Sequence, residues 1–187
     1  MSPSPAVLAI NCSPTSGGRT RTALEAVLAG AAAEGAAVEL VELAADDGLA
    51  VDAALEAIAK ADAFVFGSPM YRASYAAPFK VLMDAVPRGM WGETSAPLTG
   101  RAVAIVATAA SDHHFLGPAA MRDVLCDFFA AHLVSPGLYV PASGFDASKQ
   151  LERPFAARAE LQGRALVELA GAIEVAGSAL AAVVPQA

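Results

Sequence analysis

Short apolar runs alternate with longer segments of helical spacing along the whole chain. Ala6–Asn11 (AVLAIN) is a continuous apolar run that ends at a Ser-Pro-Gly cluster, the pattern of a parallel strand buried on both faces. Residues 20–34 follow as a helix, with Thr20 or Thr22 available to start it and Gly35 to stop it. Residues 37–43 (AVELVEL) alternate apolar with acidic side chains, as a strand nearer the sheet edge does. Residues 51–60 read as a helix, and residues 63–67 (AFVFG) as another buried strand that Ser68-Pro69 cuts off. Residues 79–86 belong to a third helix that stops before Pro87-Arg88-Gly89. Residues 102–108 (AVAIVAT) form the cleanest central strand. Residues 118–132 are helical with Pro118 near the first turn, and residues 133–140 make a fifth strand whose pattern Pro136 and Gly137 interrupt. A long last helix starts between Ser148 and Ala156 and runs to about Gly177.

Strands alternating with helices specify an α/β fold, a doubly wound parallel sheet with helices on both faces. Right-handed crossovers limit the arrangements sharply. No internal repeat, low-complexity linker or second hydrophobic core interrupts the pattern, so residues 1–187 are expected to form one domain. Ligands of such sheets sit beyond the carboxyl ends of the strands. That directs attention to the segments after the first, third and fourth strands.

Composition narrows the partners. At 187 residues the chain is long enough to bury a core without metal or disulfide staples. Apolar residues make up 56% of it, many of them alanine, which favours close approach of helices to the sheet. No apolar stretch reaches the ~18–20 residues of a spanning helix, and no basic segment precedes Ala6–Ile10, so a cytoplasmic location is expected. Cys12 and Cys126 lie far apart without metal-ligand spacing and read as reduced thiols. Twelve Lys and Arg against nineteen Asp and Glu give a net charge of −7, which repels a nucleic-acid backbone. An anion site must therefore be local.

The segment from Asn11 to Thr22 supplies such a site. It brings Ser13, Thr15, Ser16, two glycines and two arginines, Arg19 and Arg21, to the approach of a helix N-terminus. Unpaired amides, a favourable dipole end, short hydroxyl donors and a guanidinium are what a phosphate needs. Neither a Walker loop nor the G-x-G-x-x-G of dinucleotide folds is present. Cys12 and Arg19 are one position too far apart for the Cys-x5-Arg loop of a low-molecular-weight phosphatase. After the third strand, Gly67 to Tyr75 offers close backbone approach and the flat or polarizable surfaces of Met70 and Tyr71 to a planar ligand. After the fourth, Thr108, Ala109, Ala110 and Ser111 leave room for a ring. His113 and His114 point apart on a short loop and lack a third ligand, against a metal site.

These residues resemble the NADPH-dependent FMN reductase family of flavodoxin-like proteins, in particular those that feed two-component monooxygenases. The resemblance rests on Ser13-Pro14 with Arg19-Thr20, on Gly67-Ser68-Pro69-Met70-Tyr71-Arg72-Ala73-Ser74-Tyr75 followed by Phe79-Lys80 and Leu82-Met83-Asp84, and on Ala107-Thr108. It covers roughly residues 6–140, and the middle motif is its specific part. It implies a flavodoxin-like, five-stranded sheet of order 2-1-3-4-5. Ser13, Thr15, Arg19 and Thr20 are then expected to hold the FMN phosphate. Pro69, Met70, Tyr71 and Arg72 are expected to contact the isoalloxazine and its ribityl chain. Thr108, Ala109, Ala110 and Ser111 are expected to border the ring from the other side. Family members often carry two glycines where this chain has Ala109-Ala110.

The implied activity is hydride transfer from NADPH or NADH to FMN, with reduced flavin passing to a monooxygenase and the chain assembling as a homodimer or homotetramer. Arg72 or Arg21 is the candidate to meet the extra phosphate of NADPH. Lys80 and Asp84, four apart on one helix, are expected to form an ion pair. The same loops also suit an FMN-bound reductase of quinones, azo dyes or metal oxyanions. A flavodoxin-type electron carrier fits the acidic balance but not the Pro69–Tyr75 motif. A scaffold without flavin is the remaining alternative.

Overall fold

The computed structural model describes residues 4–44, 49–175 and 178–185. In chain order the elements are β1 (Ala6–Asn11), α1 (Gly18–Ala33), β2 (Ala37–Glu42), α2 (Leu49–Ile58), β3 (Ala63–Tyr71), β4 (Ser74–Tyr75) and α3 (Ala77–Ala85). The second half brings β5 (Ala102–Ala109), α4 (Pro118–Arg122), β6 (His132–Leu133), β7 (Leu138–Pro141) and α5 (Arg153–Ile173). The main sheet runs β2-β1-β3-β5-β6, with β7 continuing β6 along the same flank of β5. Every one of these pairings is parallel. This is the expected flavodoxin-like order, with its fifth position shared by two short strands. No helix of the described residues is long and apolar enough to cross a membrane.

Burial follows the apolar runs. β5 is buried along its whole length and β3 everywhere except Tyr71, whereas β2, on the edge, is exposed or half-buried throughout. Alternate residues of the strands face two separate cores. Val7, Ala9, Val65, Ala104 and Val106 pack beneath α1 and α5, while Leu8, Ile10, Phe64, Phe66 and Ile105 pack on the side of α2, α3 and α4. The α1–α5 side is lined by smaller residues and packs correspondingly close. A Cβ on Gly30 would collide with the Glu160 backbone, and one on Gly163 with the Val27 carbonyl.

Three local features depart from the sequence pattern. β3 continues beyond Gly67 to Tyr71 despite Pro69. β1 pairs with β3 only as far as Gly67, so Pro69 sits where one flank of β3 has no strand awaiting its missing N–H. The expected strand at 133–140 is split, because Ser135-Pro136-Gly137 leaves the ladder between β6 and β7 and Pro136 cannot donate to it. The expected helix at 118–132 becomes π-helical over Asp123–Phe128, with Phe129 N–H donating to the Val124 carbonyl at 3.2 Å. This wider turn keeps Met121, Leu125 and Phe129 all buried against the sheet. The last helix ends at Ile173, and the expected end near Gly177 lies outside the described residues.

Candidate functional site

The carboxyl ends of β1, β3 and β5 open onto one cavity of about 420 Å³. From the first loop Ser13, Thr15, Arg19 and Thr20 line it, together with Gly17 and Gly18. β3 adds Pro69, Met70 and Tyr71, and β5 adds Thr108 and Ala109, followed by Ala110. A larger cavity of about 810 Å³ lies on the outer flank, between α5 and residues 134–141. Its wall is mainly apolar, with Phe115, Leu138, Phe155 and Leu161, and it lacks the hydroxyl cluster of the smaller one.

The first loop is shaped by a carboxylate. Glu42, at the end of the neighbouring β2, accepts the Gly17 N–H at 2.8 Å and the Asn11 side-chain N–H at 3.0 Å through Oε1. Asn11 in turn accepts the Ser13 N–H at 3.2 Å, and Ser13 Oγ accepts the Thr15 N–H at 3.3 Å. Gly17 and Gly18 then turn with φ of 69° and 74°, a backbone that a side chain would strain. Neither Thr20 nor Thr22 starts α1 as a cap. Gly17 is the N-cap and no side chain caps it, while the Thr22 hydroxyl bonds back to the Gly18 carbonyl. The first-turn amides, which have no partners within the helix, thus open beside Arg19 and the hydroxyls.

One further bond joins two of the loops, and another pins the hairpin. The Thr20 and Thr108 hydroxyls pair at 2.8 Å, both 4% exposed, and join the start of α1 to the end of β5. Ser68 Oγ accepts the Ala76 N–H at 2.9 Å and holds the β3–β4 hairpin against α3. That hairpin pairs Met70 with Tyr75 and Tyr71 with Ser74, turning at Arg72 and Ala73 with φ of 49° and 68°. Two positive φ values are the signature of a type I′ turn, here made without glycine. Tyr71 is left 55% exposed at the rim.

Of the twelve residues singled out from the sequence, ten line the cavity. Arg72 and Ser111 do not: Arg72 occupies the hairpin tip, and the Ser111 carbonyl accepts the Tyr139 hydroxyl. Arg21 is paired with Glu25 at 2.7 Å and with Glu42 at 3.6 Å. Lys80 and Asp84 form their ion pair. Burial pushes the Cys12 thiol far above its ordinary pKa, which suits a core residue and not a nucleophile. The sequence placed Gly17 and Gly18 in the loop without giving them a contact, and it gave no role to Lys149, which also lines the cavity. The Asp146–Gln150 segment has the Asp and Ser of a turn, but nothing local tells where that turn points.

Comparison with known proteins places the chain in a family. The description of the family "NADPH-dependent FMN reductase" matches residues 5–145. The chain is 38% identical over 98 residues to the NADH-dependent FMN reductase SfnF of Pseudomonas putida, a match covering 52% of this chain and 49% of that protein. The match thus spans about half the length of that curated relative. Among solved structures, the apo form of the NADH:FMN oxidoreductase EMOB superposes with a TM-score of 0.74 at 22% identity, over 93% of this chain and 92% of that one. An NAD(P)H:quinone oxidoreductase from Methanothermobacter marburgensis gives 0.65 at 19%, over 87% and 97%. At these identities the structural likeness establishes the fold. The family match, spanning the three loops that build the cavity, goes further: this chain belongs to the NADPH-dependent FMN reductase family.

Proposed function

We propose that the chain binds FMN in this cavity and reduces it with NADPH or NADH. The observation that carries the reading is the meeting of ten sequence-selected residues around one opening, with an uncapped helix start at one end and an exposed tyrosine at the other. A cavity of about 420 Å³ lies within the ~300–1,000 Å³ usual for small-molecule sites. Its donor set fits the group: hydroxyls of Ser13, Thr15 and Thr20, first-turn amides and the Arg19 guanidinium for the phosphate. Pro69, Met70 and Tyr71 on one side and Thr108, Ala109 and Ala110 on the other form the walls for the ring.

FMN supplies, when bound, a ring that accepts a hydride equivalent from a nicotinamide and passes the electrons on. The residues of this chain hold, orient and leave one side accessible. No catalytic acid or base is invoked. Arg21 is committed to Glu25 and Glu42, which leaves Arg72, at the rim hairpin, to meet the extra phosphate of NADPH. The reading extends to delivery of reduced flavin to a monooxygenase. It also extends to self-association beside α3 and α4, where Val81, Leu116 and Phe128 are 54%, 71% and 44% exposed. Purified chain mixed with FMN and NADPH or NADH in air is expected to consume the nicotinamide with a rate that saturates in FMN. No FMN-dependent consumption with either nicotinamide overturns the reading.

A further inference from the structure

One wall of the cavity comes from outside the three loops. Lys149 sits between β7 and α5, in a segment that folds as a strap, and it lines the same cavity as Arg19. The strap is tied at its base by the pairing of Phe145 with Leu151 and by the Glu152 N–H donating to the Gly144 carbonyl at 2.9 Å. Inside it, the Asp146 carboxylate accepts the N–H groups of Ser148 and Gln150 at 2.8 and 2.9 Å. The Asp146 N–H reaches the Gln150 carbonyl at 2.8 Å, and the Lys149 N–H reaches the Asp146 carbonyl at 3.0 Å. Lys149 itself is held at φ 62°, a left-handed backbone that a lysine adopts only when its surroundings impose it. Phe145, 7% exposed, also carries the Arg19 guanidinium over its ring, 5.6 Å from the centroid. The strap thus supports one cation of the cavity and brings Lys149 to its wall.

The local charge explains why a second cation belongs there. Glu25 and Glu42 outnumber the Arg21 they share, so Arg19 alone only restores neutrality around the first loop. A phosphate monoester brings close to two negative charges at neutral pH. Lys149 has no ion-pair partner among the described residues. We propose that Lys149, carried by the Phe145–Leu151 strap, is an anion-binding residue that supplies the second positive charge to the phosphate of bound FMN. This rests on the FMN reading above and adds a contact outside the three loops to it.

The test compares FMN with riboflavin, which lacks the phosphate, by fluorescence titration of the wild type and of Lys149→Gly, Lys149→Gln and Lys149→Arg. Glycine accepts φ 62° without strain, so Lys149→Gly removes the ammonium and leaves the strap its shape. For Lys149→Gly and Lys149→Gln the FMN Kd is expected to rise about tenfold, with riboflavin within about twofold of wild type and a weaker salt dependence for FMN. Lys149→Arg is expected to retain most of the FMN affinity. An unchanged FMN Kd in Lys149→Gly overturns the proposal, as does an equal loss for FMN and riboflavin. An effect confined to the KM for NADPH also overturns it, because the cation then serves the nicotinamide. Wild-type chain that binds neither flavin removes the FMN reading itself, and the proposal with it.

Discussion

The two ends of the cavity are built on opposite principles. The end at α1 is rigid and largely internal: Glu42, Asn11 and Ser13 pass hydrogen bonds from one loop residue to the next, and the Thr20–Thr108 pair is buried beneath them. The end at the β3–β4 hairpin is a rim, with Tyr71 more than half exposed and a turn strained at two non-glycine residues. Such a division suits a ligand with an anionic tail and a reactive ring. In the proposed FMN reading, the tail meets donors that need no reorganisation and the ring lies where a second planar molecule reaches it. Losses at the first end are therefore expected to depend on the phosphate, and losses at the second to ignore it.

The largest expected effect tests that separation directly. Arg19→Ala removes the guanidinium from the α1 end. Losing a charge-assisted contact of this kind costs about 2.3 kcal/mol, so the FMN Kd is expected to rise roughly fiftyfold. Riboflavin affinity is expected to stay within about twofold. Equal weakening of both flavins in the same titration would erase the distinction between the two ends.

Glu42 comes next, because it orders the loop without lining the cavity. Glu42→Ala leaves the Gly17 N–H and the Asn11 side-chain N–H without their acceptor and frees Arg21 from half of its pairing. With Glu42 20% exposed, water replaces part of the loss, so about 2 kcal/mol of stability is expected to disappear in urea unfolding. FMN affinity falls with the order of the loop. Glu42→Gln keeps an acceptor oxygen and removes a like charge from beside the phosphate site. It is expected to cost under ~1 kcal/mol in stability and to leave FMN affinity at least at the wild-type level. If Glu42→Gln weakens FMN as much as Glu42→Ala does, the carboxylate acts by charge and not by geometry.

How far the sequence foretold this division differs between the ends. β1, β3 and β5 were legible because strands buried on both faces must be continuously apolar, and their carboxyl ends then mark the ligand side. Ser13, Thr15, Arg19 and Thr20 were legible for the same reason, since they lie in the loop after β1 and in the first turn of the helix that it enters. The pairing of Arg21 with Glu42 was not legible, because Glu42 is distant in the chain and adjacent only once β1 and β2 pair. Lys149 was hidden at the open start of the last helix, and it meets the cavity through the strap that the Phe145–Leu151 pairing closes, a contact between residues distant from the three loops. The break at Ser135–Gly137 was legible in Pro136 and Gly137, whereas the π-helical turn at Asp123–Phe128 was not, because apolar periodicity has no symbol for one extra residue in a helical turn. Long-range partners were the common blind spot.

At the rim, Tyr71→Ala removes an exposed aromatic surface that makes no hydrogen bond among those described. Stacking of this sort is worth about 1 kcal/mol, so FMN and riboflavin are both expected to weaken roughly fivefold. Stability in urea is expected to change by less than ~0.5 kcal/mol, since little buried area is lost. A loss seen with FMN alone would move Tyr71 to the phosphate side of the comparison.

The smallest effect belongs to the two thiols. Cys12 lies beneath the α1 end, fully buried, and its thiol is held in the neutral form by that burial. Because the thiolate is the nucleophile and its pKa stands far above the ordinary value, iodoacetamide at pH 8 finds almost none of it. Cys126, in the π-helical turn, is raised too, first by burial and then by Asp127, yet it is only partly buried. Mass spectrometry of the native chain is expected to show Cys126 modified first and Cys12 only after unfolding. The singly modified protein is expected to bind FMN with unchanged affinity, because neither sulfur lines the cavity. Rapid labelling of Cys12 in the native state would mean that the α1 end opens to solvent, and its rigidity relative to the hairpin rim would then be lost.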